Sequence, residues 1–453
     1  MNPVPIELIT IVMFASLIGL LLLGLPVAFA TGGLAVIGIL VAAQMGWLNI
    51  GFIHMIAVRT FGTMYQYLLF AIPLFIFLAS MMERAGIIEE MYDAFQKWTG
   101  PLPGGLASAT VLASTLLAAV VGIIGAAVVT MGLIALPSML KKKYDKHLAC
   151  GSVMAGGTLG ILIPPSILFI MYALVAGESC GKLFAGGIMP GLLLSALYCT
   201  YITIRCLLKP ELGPPLTKEE RALNTWGVKF RSLRSIAFPT ILVFAVLGSI
   251  FFGVASITEA AAVGGFGAII AAAMKGRLNW KNLKSALQQT VRVSAMVLWT
   301  VFGAVALVTF YYGVGGDIFI QELIWGFELG SYGTLAVIMG ILLILGMFVD
   351  WVGILYLCVP IFLPIIISLG FDRLWFGIIY NVNMQISFLS PPFGYALFYL
   401  KGVAPKDISM WEIIKSAFPF LALQVIGLII VIAFPPIATA FPNWLFAPGR
   451  FLH

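Results

Sequence analysis

The sequence predicts an all-α polytopic membrane protein made of an inverted-topology repeat, with about five transmembrane helices and one re-entrant hairpin per repeat. Composition, a duplicated set of breaks and the placement of basic residues predict it. Hydrophobic residues make up 61% of the 453-residue chain and charged residues 9%, against about 25% charged in soluble domains. Mean hydropathy is +1.09. With about 20 residues needed per crossing, there is room for about ten spans and no separate soluble domain. A Pro-Pro pair interrupts an apolar segment at Leu162-Ile163-Pro164-Pro165-Ser166 and again at Leu389-Ser390-Pro391-Pro392-Phe393, an offset of 227 residues (391 minus 164). Pro137 and Pro364 keep that offset, while Gly105 and Gly333 stand 228 apart and Gly86 and Gly316 stand 230 apart.

Each element follows from its apolar run and its breaks. The first repeat, 1–208, opens with spans near 6–23 and 26–43, parted by Gly24-Leu25-Pro26. An amphipathic stretch at about 47–63, a span near 67–82 and a polar helix near 88–99 follow. The apolar limbs 105–122 and 126–140 are joined by Gly122-Ile123-Ile124-Gly125 without a polar loop, so the segment at about 105–140 reads as a re-entrant hairpin. Such backbone is tolerated at membrane depth only where protein or a water-filled cavity covers its free polar groups. A helix over about 148–176, broken at Pro164-Pro165, and a span near 184–208 complete this half. After a linker at 209–234, the second repeat, 235–453, gives spans at 235–252 and 254–271, an amphipathic piece near 278–290, a span at 293–312 and a polar helix near 315–328. A hairpin at about 332–368, a broken helix at about 375–400 and a last span near 416–434 complete it.

Five crossings per half force the second copy to enter the membrane upside down. With the linker in the cytoplasm, 21 of the 25 basic residues fall inside, leaving Arg59, Lys182, Arg373 and Arg450 outside. Cytoplasmic loops carry this excess of Lys and Arg. The net charge of +7 therefore reflects orientation, and nucleic acid is excluded as a partner. The run Lys141-Lys142-Lys143-Tyr144-Asp145-Lys146 reads as an anchor beside membrane lipid. The five cysteines form no Cys-x-x-Cys pair, the three histidines form no constellation, and no nucleophile stands with a base. An enzyme and a transition-metal site are therefore not expected, and no cofactor is called for. The chain starts without a basic region ahead of its first apolar run, so no cleaved signal peptide is expected.

Matching breaks in two halves point to a secondary transporter whose site lies between the repeats. A broken helix bares carbonyls at one half-helix end and N–H groups at the other, the parts needed to hold a cation beside an anion. Thr158, Gly160, Pro164, Pro165 and Ser166 mark the first break, and Asn383, Gln385, Ser387, Ser390, Pro391 and Pro392 mark the second. Taken singly, each hydroxyl is better explained by helix packing; as a cluster beside a broken helix, repeated in both halves, they point to an ion or substrate site. Two carboxylates fall within the apolar layer, where an ionisable group costs at least ~2.5–3.5 kcal/mol and so suggests function. Asp350 stands at the second hairpin tip, as a site residue, as the N-cap of the next limb, or as both. Glu259 reads as a buried acid, with an interfacial first-turn acid as the alternative.

The strings Gly157-Thr158-Leu159-Gly160-Ile161-Leu162-Ile163-Pro164-Pro165-Ser166, Thr258-Glu259-Ala260-Ala261-Ala262-Val263 and Ser390-Pro391-Pro392-Phe393-Gly394 resemble signature segments of the large membrane subunit of tripartite ATP-independent periplasmic (TRAP) transporters. The resemblance covers essentially the whole chain. It implies a sodium-coupled importer of organic anions such as C4-dicarboxylates or 2-oxo and hydroxy acids, working by an elevator motion in the bacterial inner membrane. A periplasmic substrate-binding protein and a small four-helix membrane subunit would be its partners. Carried over position by position, it places Gly125, Thr158, Pro164, Ser166, Asp350, Ser390, Pro391 and Gly394 around the ion and substrate sites; joined with the reading of the breaks, this gives an ion site at Gly122, Gly125, Thr158, Gly160, Asp350, Ser387, Ser390 and Gly394, with substrate near Pro164, Pro165, Ser166, Asn383, Gln385, Pro391 and Pro392. Many members carry Ser-Gly-Ser at the first hairpin tip where this chain reads Ile124-Gly125-Ala126, which leaves that role to the carbonyls of Gly122 to Gly125. A self-sufficient carboxylate carrier on the same repeat is the alternative.

Overall fold

The computed structural model describes residues 5–122, 124–217, 219–220 and 224–447. Ile123 of the first hairpin tip, Lys218 of the linker, and Arg450 and His453 lie outside the described residues. Among the described residues the regular structure is helical without strands, and nine helical segments are long and apolar enough to cross a membrane.

Helices α1 (Ile6–Leu22) and α2 (Val27–Gln44) part at Gly24, whose φ is 84°, and α2 starts behind Pro26. Proline suits a helix start because it lacks an N–H there and presets φ. The short α3 (Ile53–Met64) leads through a turn at Tyr67–Phe70 into α4 (Ala71–Arg84) and the polar α5 (Ile87–Thr99). The hairpin limbs are α6 (Gly105–Val121) and α7 (Ile124–Lys141). Next come α8 (Lys146–Thr158), a turn at Leu159–Ile161, α9 (Ile167–Ala176) and the long α10 (Cys180–Leu208). Asp145 caps α8 by accepting from the Leu148 N–H at 3.0 Å, which satisfies one of the free donors of the first turn.

The second half runs through α11 (Trp226–Phe251), α12 (Ile257–Met274) and α13 (Trp280–Gly313), then the short α14 (Gly316–Trp325). A hairpin of α15 (Gly330–Gly346) and α16 (Trp351–Ser368) precedes α17 (Arg373–Leu389), α18 (Tyr395–Val403), α19 (Met410–Ala433) and α20 (Pro436–Leu445). Two features differ from expectation. The amphipathic piece near 278–290 and the span at 293–312 are one 34-residue helix, α13, because no Gly or Pro stands between them to break it. Helix α20 was not expected; Pro435 and Pro436 end α19 and restart the chain with Pro436 in the first helical turn.

Two groups of helices pack closely, and α13 of the first also lies on α16 of the second. In one, α2 lies on α13, α12 lies on α4, and α4 lies on α13. Arg84 fastens α4 to α13 by donating to Ser285 Oγ at 2.9 Å and Gln289 Oε1 at 2.7 Å. In the other, α8 packs on α6, α7 and α19, while α17 packs on α15, α10 and α19. The halves interlock there: α9 leans on α16 of the second hairpin, and α18 leans on α7 of the first. That exchange brings both hairpin tips and both breaks to one place.

Candidate functional site

The first hairpin turns tightly because Gly122 ends α6 in the left-handed region, at φ 62°, donating its N–H to Ala118 O at 3.2 Å. Only glycine takes that conformation without steric cost. A Cβ on Gly122 would also lie 2.8 Å from the Pro165 carbonyl oxygen, so the tip sits directly on the first break. Gly125, just past the tip, faces Tyr399 of α18, with ring carbons 3.0 to 3.3 Å from where its Cβ would be. The second tip, Met347 to Asp350, lies against the second break through Phe348 and Phe393, whose ring centroids are 5.9 Å apart. Asp350 caps α16, with its carboxylate accepting from the Val352 N–H at 3.3 Å.

These segments enclose a cleft of about 50 Å³. Gly122, Ile124 and Gly125 come from the first tip, Ile161 and Ile167 from the first break, and Asp350 and Trp351 from the second tip. Phe388, Tyr395 and Tyr399 come from the second break, and Val293, Met296 and Val297 of α13 close the opposite wall. Asp350 is the one charged side chain among these lining residues, and it belongs to none of the ion pairs among the described residues. Ile167 and Tyr395 are the first residues of α9 and α18, so two positive helix ends face the space that Asp350 enters. Such a site suits an anion and a small hard cation together.

Of the residues named from the sequence, Gly122, Gly125 and Asp350 line the cleft. The others are not among its lining residues. Thr158 is buried, donating to Ala155 O at 2.8 Å and accepting from Gln424 at 3.1 Å. Ser166 donates to Ile161 O across the first break, and Ser390 to Ile386 O at 2.7 Å. Ser387 bonds back to Asn383 O at 3.2 Å, while the Asn383 amide donates to Met339 O at 2.9 Å and ties α17 to α15. Gly160, Pro164, Pro165 and Gln385 are buried, Pro391 is half-buried and Pro392 is exposed. Gly394 is a close approach: a Cβ there would lie 2.8 Å from the carbonyl oxygens of both Phe388 and Ser390.

Glu259 is a correction. It is exposed, and it forms a capping box with Ser256, taking the Ser256 N–H at 2.8 Å while its own N–H bonds Ser256 Oγ at 3.3 Å. The motif Ser-Ile-Thr-Glu starts a helix, which is why this acid tolerates its apolar neighbourhood without being buried. Tyr395, Tyr399, Trp351 and the α13 residues were missed. The four-residue spacing of the two tyrosines puts them on one helical face, but nothing in the sequence marks α13 as the facing wall.

The family model "Tripartite ATP-independent periplasmic transporter, DctM component" matches residues 14–437. The chain belongs to this TRAP transporter family. It is similar to the C4-dicarboxylate TRAP transporter large permease protein DctM of Pseudomonas aeruginosa, 33% identical over 87% of this chain and 90% of that protein. It is also similar to the isethionate TRAP transporter permease protein DctMQ of Oleidesulfovibrio alaskensis, 32% identical over 95% of this chain and 66% of that protein. Among solved structures, the YdaH transporter of Alcanivorax borkumensis has a similar fold, with a TM-score of 0.57 at 15% identity over 85% of this chain and 88% of that one. This TRAP large permease is thus a multi-pass transport component and not an enzyme. At one end of the permease, Lys146 at the start of α8 binds Asp407 ahead of α19 at 3.1 Å, and that hydrogen bond holds the Asp407 carboxyl below the usual carboxylate range.

Proposed function

We propose that this permease imports an organic anion, a carboxylate such as a C4-dicarboxylate or a 2-oxo or hydroxy acid, in symport with sodium. The observation that carries the reading is the cleft, where an unpaired Asp350 shares a confined space with the N-terminal ends of α9 and α18. An anion drawn to those helix ends would meet the like charge of Asp350, and a cation seated against Asp350 and the tip carbonyls removes that repulsion. Gly122, Gly125 and Asp350 then contribute to the cation site. Thr158, Gly160, Ser387, Ser390 and Gly394 shape it from behind, as Pro164, Pro165, Ser166, Asn383, Gln385, Pro391 and Pro392 shape the walls of the substrate site.

The two halves are inverted copies, with the 209–234 linker in the cytoplasm of a bacterial inner membrane. Hairpins and broken helices travel as one body against α13 and its neighbours. The partners are a periplasmic binding protein and a small four-helix membrane subunit. The DctMQ name of the isethionate relative, and the third of its length beyond this match, are consistent with a second component joined in one chain.

Reconstitution tests the assembly. Proteoliposomes holding this chain alone should show no uptake of labelled succinate or pyruvate under an inward sodium gradient; adding the small subunit and the loaded binding protein should produce it. Uptake by the chain alone would instead establish the self-sufficient carrier. Full uptake with potassium in place of sodium would remove sodium as the coupling ion.

A further inference from the structure

Where α8, α10, α17 and α19 pack on one another, the protein buries polar groups that no protein atom among the described residues satisfies. Gln385 is fully buried, and both ends of its amide lack a partner. Gln424 is fully buried too; its Nε2 is used on Thr158, but its Oε1 is unpartnered. One helical turn before Gln385, Asn381 Oδ1 is likewise unpartnered. The Tyr198 hydroxyl stands beside Gln424 and Thr158 without a well-formed hydrogen bond.

These groups stand on helices that pack on one another, at positions the duplication pairs. Gln385 is the counterpart of Thr158 (385 minus 158 is 227) and Gln424 the near counterpart of Tyr198 (424 minus 198 is 226). Thr158 and Gln385 each stand six positions before the first proline of their respective breaks (164 minus 158 and 391 minus 385). Helix α17 touches both α8 and the turn at Leu159–Ile161 that follows Thr158. Tyr198 meets Phe420 at 5.7 Å between ring centroids, and Phe420 lies one turn before Gln424 on the same face of α19.

Buried polar groups in native proteins are almost always bonded to protein or to ordered water. Exchanging the N and O of the Gln385 amide does not help, since both are unpartnered. A cation would serve the carbonyl oxygens and leave the Gln385 Nε2 donor unmet; an anion would do the reverse. Water both accepts and donates. We propose that the crossing of the two broken helices holds ordered water bound to Gln385, Gln424 and Tyr198, linking the two repeats.

The test uses the purified permease with its small subunit, comparing thermal melting of the wild type with Gln385→Leu. A dry, unsatisfied amide replaced by Leu would raise the melting temperature, whereas Leu in place of a water ligand strands the remaining water partners. The expected result is a fall of roughly 2–4 °C. An unchanged or higher melting temperature overturns the proposal. If the variant does not assemble, a wild-type density map decides: a solvent peak within about 3 Å of the Gln385 amide is expected, and a map in which that amide is bonded to protein alone refutes it.

Discussion

Under the proposed sodium coupling, uptake by the assembled transporter is expected to fall by roughly 10- to 100-fold when Asp350 becomes Asn, the loss of one charge-assisted contact. The choice of Asn is deliberate. Asp and Asn cap helices about equally well, so Asp350→Asn keeps the hydrogen bond to the Val352 N–H and the start of α16 while removing the charge. Asp350→Ala removes both and should also lower the melting temperature. Initial uptake rates across a series of sodium concentrations check the claim: the Asn variant should need much more sodium for half-maximal rate, or lose the dependence. Uptake that survives with the same sodium dependence would reduce Asp350 to a helix cap.

Gly122→Ala is expected to abolish uptake and destabilise the protein by about 2–4 kcal/mol through strain and overpacking. Two independent costs meet at this residue. Its φ of 62° is unfavourable for any side chain, and the new Cβ would press on the Pro165 carbonyl oxygen 2.8 Å away. Neither the tip nor the Pro-Pro backbone is a flexible side-chain end that can swing aside. The hairpin tip would lift from the first break and open the cleft. Gly340→Ala in the middle of α15 is the control, because a Cβ there meets nothing within 4 Å and alanine favours helix. Wild-type melting and uptake in Gly122→Ala would contradict the packing described for the tip.

The all-helical membrane fold was legible because its causes are local. Apolar runs of spanning length, Gly24-Leu25-Pro26 and the paired prolines each mark a helix or its end in the residues themselves. The join between the amphipathic piece and the span in α13 was not legible, since polarity changes along that helix without a backbone breaker. At the site, Gly122, Gly125 and Asp350 stood out because a glycine at a tight turn and an acid in an apolar layer are chemically conspicuous. The hydroxyls of Thr158, Ser387 and Ser390 carried no signal to separate a wall from a lining, since each bonds a carbonyl three or four residues back in its own helix, as a hydroxyl on any face of a helix can. Glu259 was misplaced for a different reason: depth in the membrane was inferred from hydropathy, while the Ser256 to Glu259 spacing already described a capping box. Val293, Met296 and Val297 come from a distant helix with ordinary apolar residues, and contacts of that kind are not written in one sequence.

The central claim is that the cleft lies between a moving body, which carries the hairpins and broken helices, and a fixed wall at α13. Its most direct test is a reversible bridge across the cleft. With the five native cysteines replaced, cysteines at Ile124 and Met296, both lining residues, are joined by a short reducible cross-linker in the reconstituted transporter. The account predicts that the bridged protein stops importing and resumes when the bridge is reduced; import at the full rate with the bridge in place would contradict it.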